Sequence, residues 1–145
     1  MRALIQRVSE ASVTVDGEII GRIGRGMLIF LGVTDTDTEA EVKAVADKCL
    51  NLRIFEDDAG KFNHSALEME AELLIVSQFT LYGDTRKGRR PSFNKAAPPQ
   101  HSEPLYDRFV EELRQSGLRT EAGSFGAQMN VQLVNDGPVT IMVEK

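Results

Sequence analysis

Residues 73–81 read Leu73-Leu74-Ile75-Val76-Ser77-Gln78-Phe79-Thr80-Leu81. Four apolar residues in a row predict a strand covered on both faces, running over about 72–79, and the hydroxyls and amide that follow mark the point where it leaves the core. From such a strand end a sheet can aim polar groups at a ligand. Taken alone, Ser77-Gln78-Phe79-Thr80 also fits an ordinary strand end, because groups of this kind bind and rarely attack. A second stretch lies near the C-terminus. There Asn135-Asp136-Gly137-Pro138 separates Val131-Gln132-Leu133-Val134 from Val139-Thr140-Ile141-Met142-Val143. A proline has no N–H to give a sheet ladder, so Pro138 belongs in a turn or at an edge.

Working outward, the chain reads as α/β and rich in strands. Residues 4–8, 12–15 and 18–23 alternate as strands, with Asp16-Gly17 as a hairpin turn and Gly24-Arg25-Gly26 as the next break. Residues 27–33 read as a buried strand. Thr38-Glu39-Ala40-Glu41 has the form of a capping box opening a helix to about residue 52, with Val42, Val45, Ala46 and Cys49 on one face. A strand is expected over 53–56 and a turn over 57–61. Pro98-Pro99 ends a long loop, and Ser102 is expected to cap a second helix with Pro104 in its first turn, Leu105, Phe109 and Leu113 inward, and Gly117 as terminator. Residues 127–134 and 139–143 supply the last strands.

Composition narrows the function classes. A chain of 145 residues with 41% hydrophobic content suits one domain over residues 1–145. The N-terminus alternates like a strand and lacks a signal peptide's apolar stretch, and no window nears the roughly 20 apolar residues of a membrane helix, so a soluble, cytoplasmic protein without membrane contact is expected. The single cysteine, Cys49, falls on a helix's apolar face and reads as a buried structural thiol. A net charge of −5 argues against broad coating of phosphate backbones. The charge is uneven, however. Residues 86–95 hold five bases (Arg86, Lys87, Arg89, Arg90, Lys95) and no acid, leaving 12 bases against 22 acids elsewhere. This segment is a candidate anion-binding patch or a solvated loop, and the neighbouring Phe93 favours RNA.

Familiar catalytic inventories are absent. His64 and His101 have no cysteine or carboxylate at a metal-site spacing, so neither a metal nor a cofactor is expected. No Gly-x-Ser-x-Gly elbow is present. Gly21-Arg22-Ile23-Gly24-Arg25-Gly26 joins two strands where a dinucleotide fingerprint needs a strand-to-helix turn.

The two stretches that open this reading, together with the full length from Met1-Arg2-Ala3-Leu4-Ile5-Gln6-Arg7-Val8 onward, resemble the paired signatures of the D-aminoacyl-tRNA deacylases. The resemblance implies a single-domain α/β fold, layered β/β/α with largely antiparallel or mixed sheets and two main helices. It implies an ester hydrolase that removes D-amino acids from the 3′ acceptor end of tRNA. Ser77, Gln78, Phe79 and Thr80 are the implied catalytic group, acting through backbone N–H groups on a developing oxyanion while the 2′-hydroxyl of the RNA assists. Gly137-Pro138 is implied to be cis and to enter the partner site of a homodimer, gripping the α-ammonium and leaving no room for an L side chain. Phe125, Ala127 and Met129 are implied to line the terminal adenosine pocket, and Arg7 to hold the Gly-Pro loop. Without the resemblance, Phe125 and Met129 read equally as core and Arg7 as a surface strand residue. Arg86, Lys87, Arg89 and Arg90 are the candidate RNA-binding residues. A Thr80-nucleophile hydrolase of small D-amino acid esters or peptides, and a non-catalytic RNA-end-binding dimer, stay open as alternatives.

Overall fold

The apolar run at 73–76 becomes the parallel centre of a mixed sheet. In the computed structural model, which describes residues Met1–Lys145, strand β6 (Glu72–Ser77) lies between β3 (Gly26–Gly32) and β7 (Thr120–Ala122), parallel to both. Successive side chains point to opposite faces. Leu73 and Ile75, with Met27, Ile29 and Leu31, meet the helices α1 (Glu39–Asn51) and α2 (Pro99–Arg114) in one core. Leu74 and Val76, with Leu28, face Val8, Ala11, Val13 and Ile23 in a second. Both faces are covered, which is why the run shows no polar alternation.

The second layer comes from one long strand. β1 (Arg2–Val15) is continuous where the sequence suggests two segments. Its first half pairs antiparallel with β3 (Arg2↔Gly32 to Val8↔Gly26) and its second half with β2 (Glu18–Ile23). β8 (Asn130–Glu144) runs along its other edge. Ala3 and Ile5 feed the helix-side core, whereas Ala11 and Val13 feed the other, and the change falls where the β8 register shifts around Val8. The β2 end of the sheet thereby folds over β6. Gly21 permits the approach: a Cβ there would meet Leu74 Cδ1 at 3.2 Å and Val13 Cγ1 at 3.3 Å. The outcome is the β/β/α layering that the resemblance implies.

Local chemistry sets the helix ends. Thr38 Oγ1 accepts from the Ala40 N–H (3.2 Å) and Glu41 Oε2 accepts from the Thr38 N–H (2.8 Å), completing the capping box. Such a cap contributes about 1 kcal/mol. Val42, Val45, Ala46 and Cys49 are buried, and burial pushes the Cys49 thiol up to about 12. α2 departs from expectation. It begins at Pro99 with Pro98 as its N-cap, not at Ser102, because a proline at the first helical position has its φ already set. The Ser102 hydroxyl donates to the Pro98 carbonyl at 3.1 Å inside the first turn. Pro104 therefore lies within the helix, on its exposed side, where water can satisfy the carbonyl left without a donor.

The C-terminal strand also differs from the two expected segments. β8 is one strand with an outward excursion: Asn135 is opposite Val8 and Thr140 opposite Gln6, so residues 136–139 stand against Arg7 alone. Strands β4 (Phe55–Glu56), β5 (Phe62–His64) and β7 are two or three residues long, too short for a period to show.

Candidate active site

At the C-terminal end of β6 the chain leaves the sheet. Ser77 is its last paired residue, opposite Leu31, and the Gln78 N–H donates to the Leu31 carbonyl at 2.7 Å. The chain then tightens into one 3-10 turn, Phe79–Tyr82. The N–H groups that open such a turn have no acceptor within it and are free to face a ligand. Gln78 Nε2 donates to Thr80 Oγ1. No imidazole or carboxylate hydrogen-bonds that hydroxyl, so it has no evident base.

A cavity of about 790 Å3 opens over this turn. That is within the range of small-molecule sites. Ser77, Gln78 and Phe79 form one side, and Phe125, Ala127 and Met129 the facing side, so the structure brings these two sets of sequence-predicted residues together. Thr80 is exposed and outside the lining. The facing side is fixed by two donors on one acceptor: the Gly123 N–H (2.8 Å) and the Tyr106 hydroxyl (3.0 Å) both donate to the Ile75 carbonyl. Burial pushes the Tyr106 hydroxyl above its ordinary range, keeping it a neutral donor. Met129 closes on the main chain here, since a Cβ at Gly123 would stand 2.7 Å from its Sδ. Tyr106 and Phe93 also line the cavity, and the sequence does not mark them as pocket residues, because a tyrosine on a helix's buried face and an aromatic in a loop carry no positional signal.

Gly137 and Pro138 do not line this cavity. Both are exposed, the peptide between them is cis, and Gly137 has φ +147°. The loop is held from both ends. Asn135 Oδ1 accepts from the Val139 N–H at 2.7 Å, and its amide donates to the Val139 carbonyl at 3.1 Å. Arg7 braces its start: Nε donates to the Asp136 carbonyl and Nη1 to the Ile54 carbonyl, each at 2.8 Å, while Nη2 stands 3.4 Å from Glu56 Oε1. Its guanidinium lies 5.4 Å from the Phe62 ring centroid. Arg7 is 4% exposed, which corrects its reading as a surface strand residue: the excursion in β8 and the chain at Ile54 enclose it.

The basic segment forms a closed loop. Asp84 and Ser92 exchange backbone hydrogen bonds of 2.7 and 2.9 Å. Arg86 turns back on Asp84 (Nε to Oδ1, 2.8 Å) and holds that carboxyl well below the usual carboxylate range. Lys87, Arg89 and Arg90 are exposed and make no ion pair within the chain. Neither histidine lines the cavity; the His101 ring Nε2 sits 2.9 Å from the Asp37 carbonyl. No group of three or more His, Cys, Asp or Glu side chains is arranged to hold a metal ion, and no helix is long and apolar enough to cross a membrane.

The end of β6 thus opens on a cavity lined by main chain, small polar groups and aromatic side chains, with no histidine or carboxylate in its lining. Residues 4–144 match the D-Tyr-tRNA(Tyr) deacylase family. The chain belongs to that family and is accordingly a hydrolase of that class. It is 63% identical over 144 residues to the D-aminoacyl-tRNA deacylase of Roseiflexus castenholzii, covering 99% of this chain and 92% of that protein. It is 58% identical to the D-aminoacyl-tRNA deacylase of Bacillus thuringiensis, covering 99% of each. Among solved structures, a c-Myc DNA unwinding element binding protein superposes with a TM-score of 0.93 at 46% identity, covering 100% of this chain and 99% of that one. A probable eukaryotic D-amino acid tRNA deacylase shares the fold, with a TM-score of 0.85 at 23% identity and 98% and 97% coverage.

Proposed function

We propose that the protein edits mischarged tRNA as a homodimer, hydrolysing the ester of D-aminoacyl-tRNA, and of glycyl-tRNA to some extent, while rejecting L-aminoacyl-tRNA. One observation carries this reading: each protomer has a cavity edged by Ser77, Gln78 and Phe79, and a separate exposed loop, Gly137-Pro138, that is rigidly braced yet absent from its own cavity. A braced, exposed main-chain element suits insertion into a second copy. There its carbonyls accept the substrate's α-ammonium and its bulk excludes an L side chain, so selection rests on backbone and not on the identity of the side chain.

The chemistry follows from what the site contains. The aminoacyl ester is already activated, and the vicinal 2′-hydroxyl assists attack on the carbonyl. Backbone N–H groups at Phe79 and Thr80 stabilise the oxyanion, a term of about 3–4 kcal/mol per donor in measured hydrolases. Phe125, Ala127 and Met129 hold the terminal adenosine, and the loop carrying Arg86, Lys87, Arg89 and Arg90 receives phosphates of the acceptor stem. The Gln78 amide on Thr80 Oγ1 speaks against a threonine nucleophile, because no group is placed to take its proton.

Complementation between protomers tests the arrangement. Gly137→Ala puts a Cβ 2.7 Å from Val139 Cγ2 at a φ that L residues rarely adopt, so it distorts the loop. Gln78→Ala damages the cavity. Each homodimer should lose activity on D-aminoacyl-tRNA, and mixed dimers should regain one intact site. Absence of recovery in verified mixed dimers would place loop and cavity in the same protomer's site. Equal release of D- and L-amino acids by the unmodified protein would refute chiral editing.

A further inference from the structure

At the rim of the cavity stand two aromatic rings that complete no core. Phe79 is 58% exposed and Phe93 36%, and the rings meet edge to face with centroids 5.1 Å apart at 73°. Both line the opening. Their mounting is rigid. Phe79 belongs to the 3-10 turn after β6, and the Phe93 ring closes on Gly83, where a Cβ would stand 3.1 Å from its Cε1. On one side of Phe93 the paired Asp84 and Ser92 close the basic loop. On the other, the Ala96 N–H donates to the Phe93 carbonyl at 2.9 Å, and the Thr34 hydroxyl donates to the Lys95 carbonyl at 2.6 Å. The pair thus joins the cavity lining to the base of the loop that carries Lys87, Arg89 and Arg90.

We propose that Phe79 and Phe93 form a stacking platform for the unpaired nucleobase that precedes the terminal nucleotide of the RNA, the strand continuing from there toward the cations of the loop. This rests on the reading that the cavity takes the terminal aminoacyl-nucleoside. Exposed aromatic faces beside a positive groove are the general means of holding single-stranded nucleic acid, and stacking tolerates any base because every base has a π-face. Such a platform adds affinity and register without reading sequence. It also accounts for the ordered exposure of two phenylalanines next to unpaired cations, which a purely amino-acid-sized site does not need.

The test uses RNA carrying 2-aminopurine, or an abasic sugar, at the penultimate position. Binding to the unmodified protein should quench 2-aminopurine fluorescence, and the abasic RNA should bind about ten-fold more weakly. In Phe93→Ala the quench should vanish and the abasic and normal RNAs should bind alike; Phe93→Trp should restore both effects and Phe93→Leu neither. An unquenched fluorophore, or an abasic penalty as large in Phe93→Ala as in the unmodified protein, would overturn the platform. So would an altered oligomeric state of Phe93→Ala on size-exclusion chromatography, which would make the aromatic pair a contact between copies. Because the binding readout needs no turnover, quenching without deacylation would remove the editing reading alone, and deacylation without quenching the platform alone.

Discussion

The Arg7 guanidinium donates to the main-chain carbonyl of Asp136 at 2.8 Å, tying the start of the 136–139 excursion to the centre of β1. A second Arg7 donor is spent on the Ile54 carbonyl, also at 2.8 Å. A planar fork can serve two carbonyls at once, which a lysine ammonium on a flexible stem does less well. Arg7→Lys should therefore lower kcat/KM for D-aminoacyl-tRNA about 10- to 100-fold, the equivalent of losing one charge-assisted hydrogen bond of about 1.5–3 kcal/mol. The lysine keeps the buried positive charge, so the protein should still fold. Steady-state deacylation alongside circular dichroism decides the matter; unaltered kinetics would detach Arg7 from the site.

Thr80→Ala should retain substantial activity, because Thr80 Oγ1 is engaged by the Gln78 amide and has no base. A substrate ending in 2′-deoxyadenosine should lose nearly all of its turnover with the unmodified enzyme. A Thr80→Ala protein that binds RNA normally yet turns nothing over would reinstate the nucleophile.

Replacing Lys87, Arg89 and Arg90 together with alanine should weaken tRNA binding for every amino acid alike. The slope of log affinity against log salt should flatten by about 0.7–0.9 per lost phosphate contact. Discrimination between D and L substrates should persist, since phosphate contacts carry no chiral information. Binding titrations at several salt concentrations provide the measurement, and an unchanged slope would take the loop off the RNA surface.

Cys49 gives a pH prediction. Its thiol rises from an ordinary 9.0 to about 12 through burial, so the folded state binds the proton more tightly than the unfolded state. The sign follows from linkage: this stability is fully present below about pH 9 and is lost as pH climbs toward 12. Cys49→Ala should flatten the alkaline limb of a denaturation-versus-pH series. At pH 8 the native protein should resist thiol-labelling reagents that modify it readily once unfolded.

The residues themselves determined a good deal. The unbroken apolar run at Leu73, Leu74, Ile75 and Val76 required a strand covered on both faces, and the Thr38–Glu41 pattern required a helix start; both depend on neighbours within a few positions. The Asp16-Gly17 turn was equally local, with both residues at positive φ. The start of α2 at Pro99 is not a local decision, because Ser102 and Pro98-Pro99 offer competing signals and packing of Leu105, Tyr106 and Phe109 favours the longer helix. Apart from the family resemblance, only the tertiary structure decides what encloses Arg7. Nothing within seven residues of a strand arginine states that Ile54 and Asp136 will close around it, because those partners lie 47 and 129 positions away. The cavity is likewise nonlocal: Gln78 faces Phe125 and Met129 because β7 pairs with β6 and the Ile75 carbonyl gathers Gly123 and Tyr106. Hydrogen bonds and periodicity propagate along a chain, whereas enclosure of a charge or a pocket is a property of surfaces that meet only after folding.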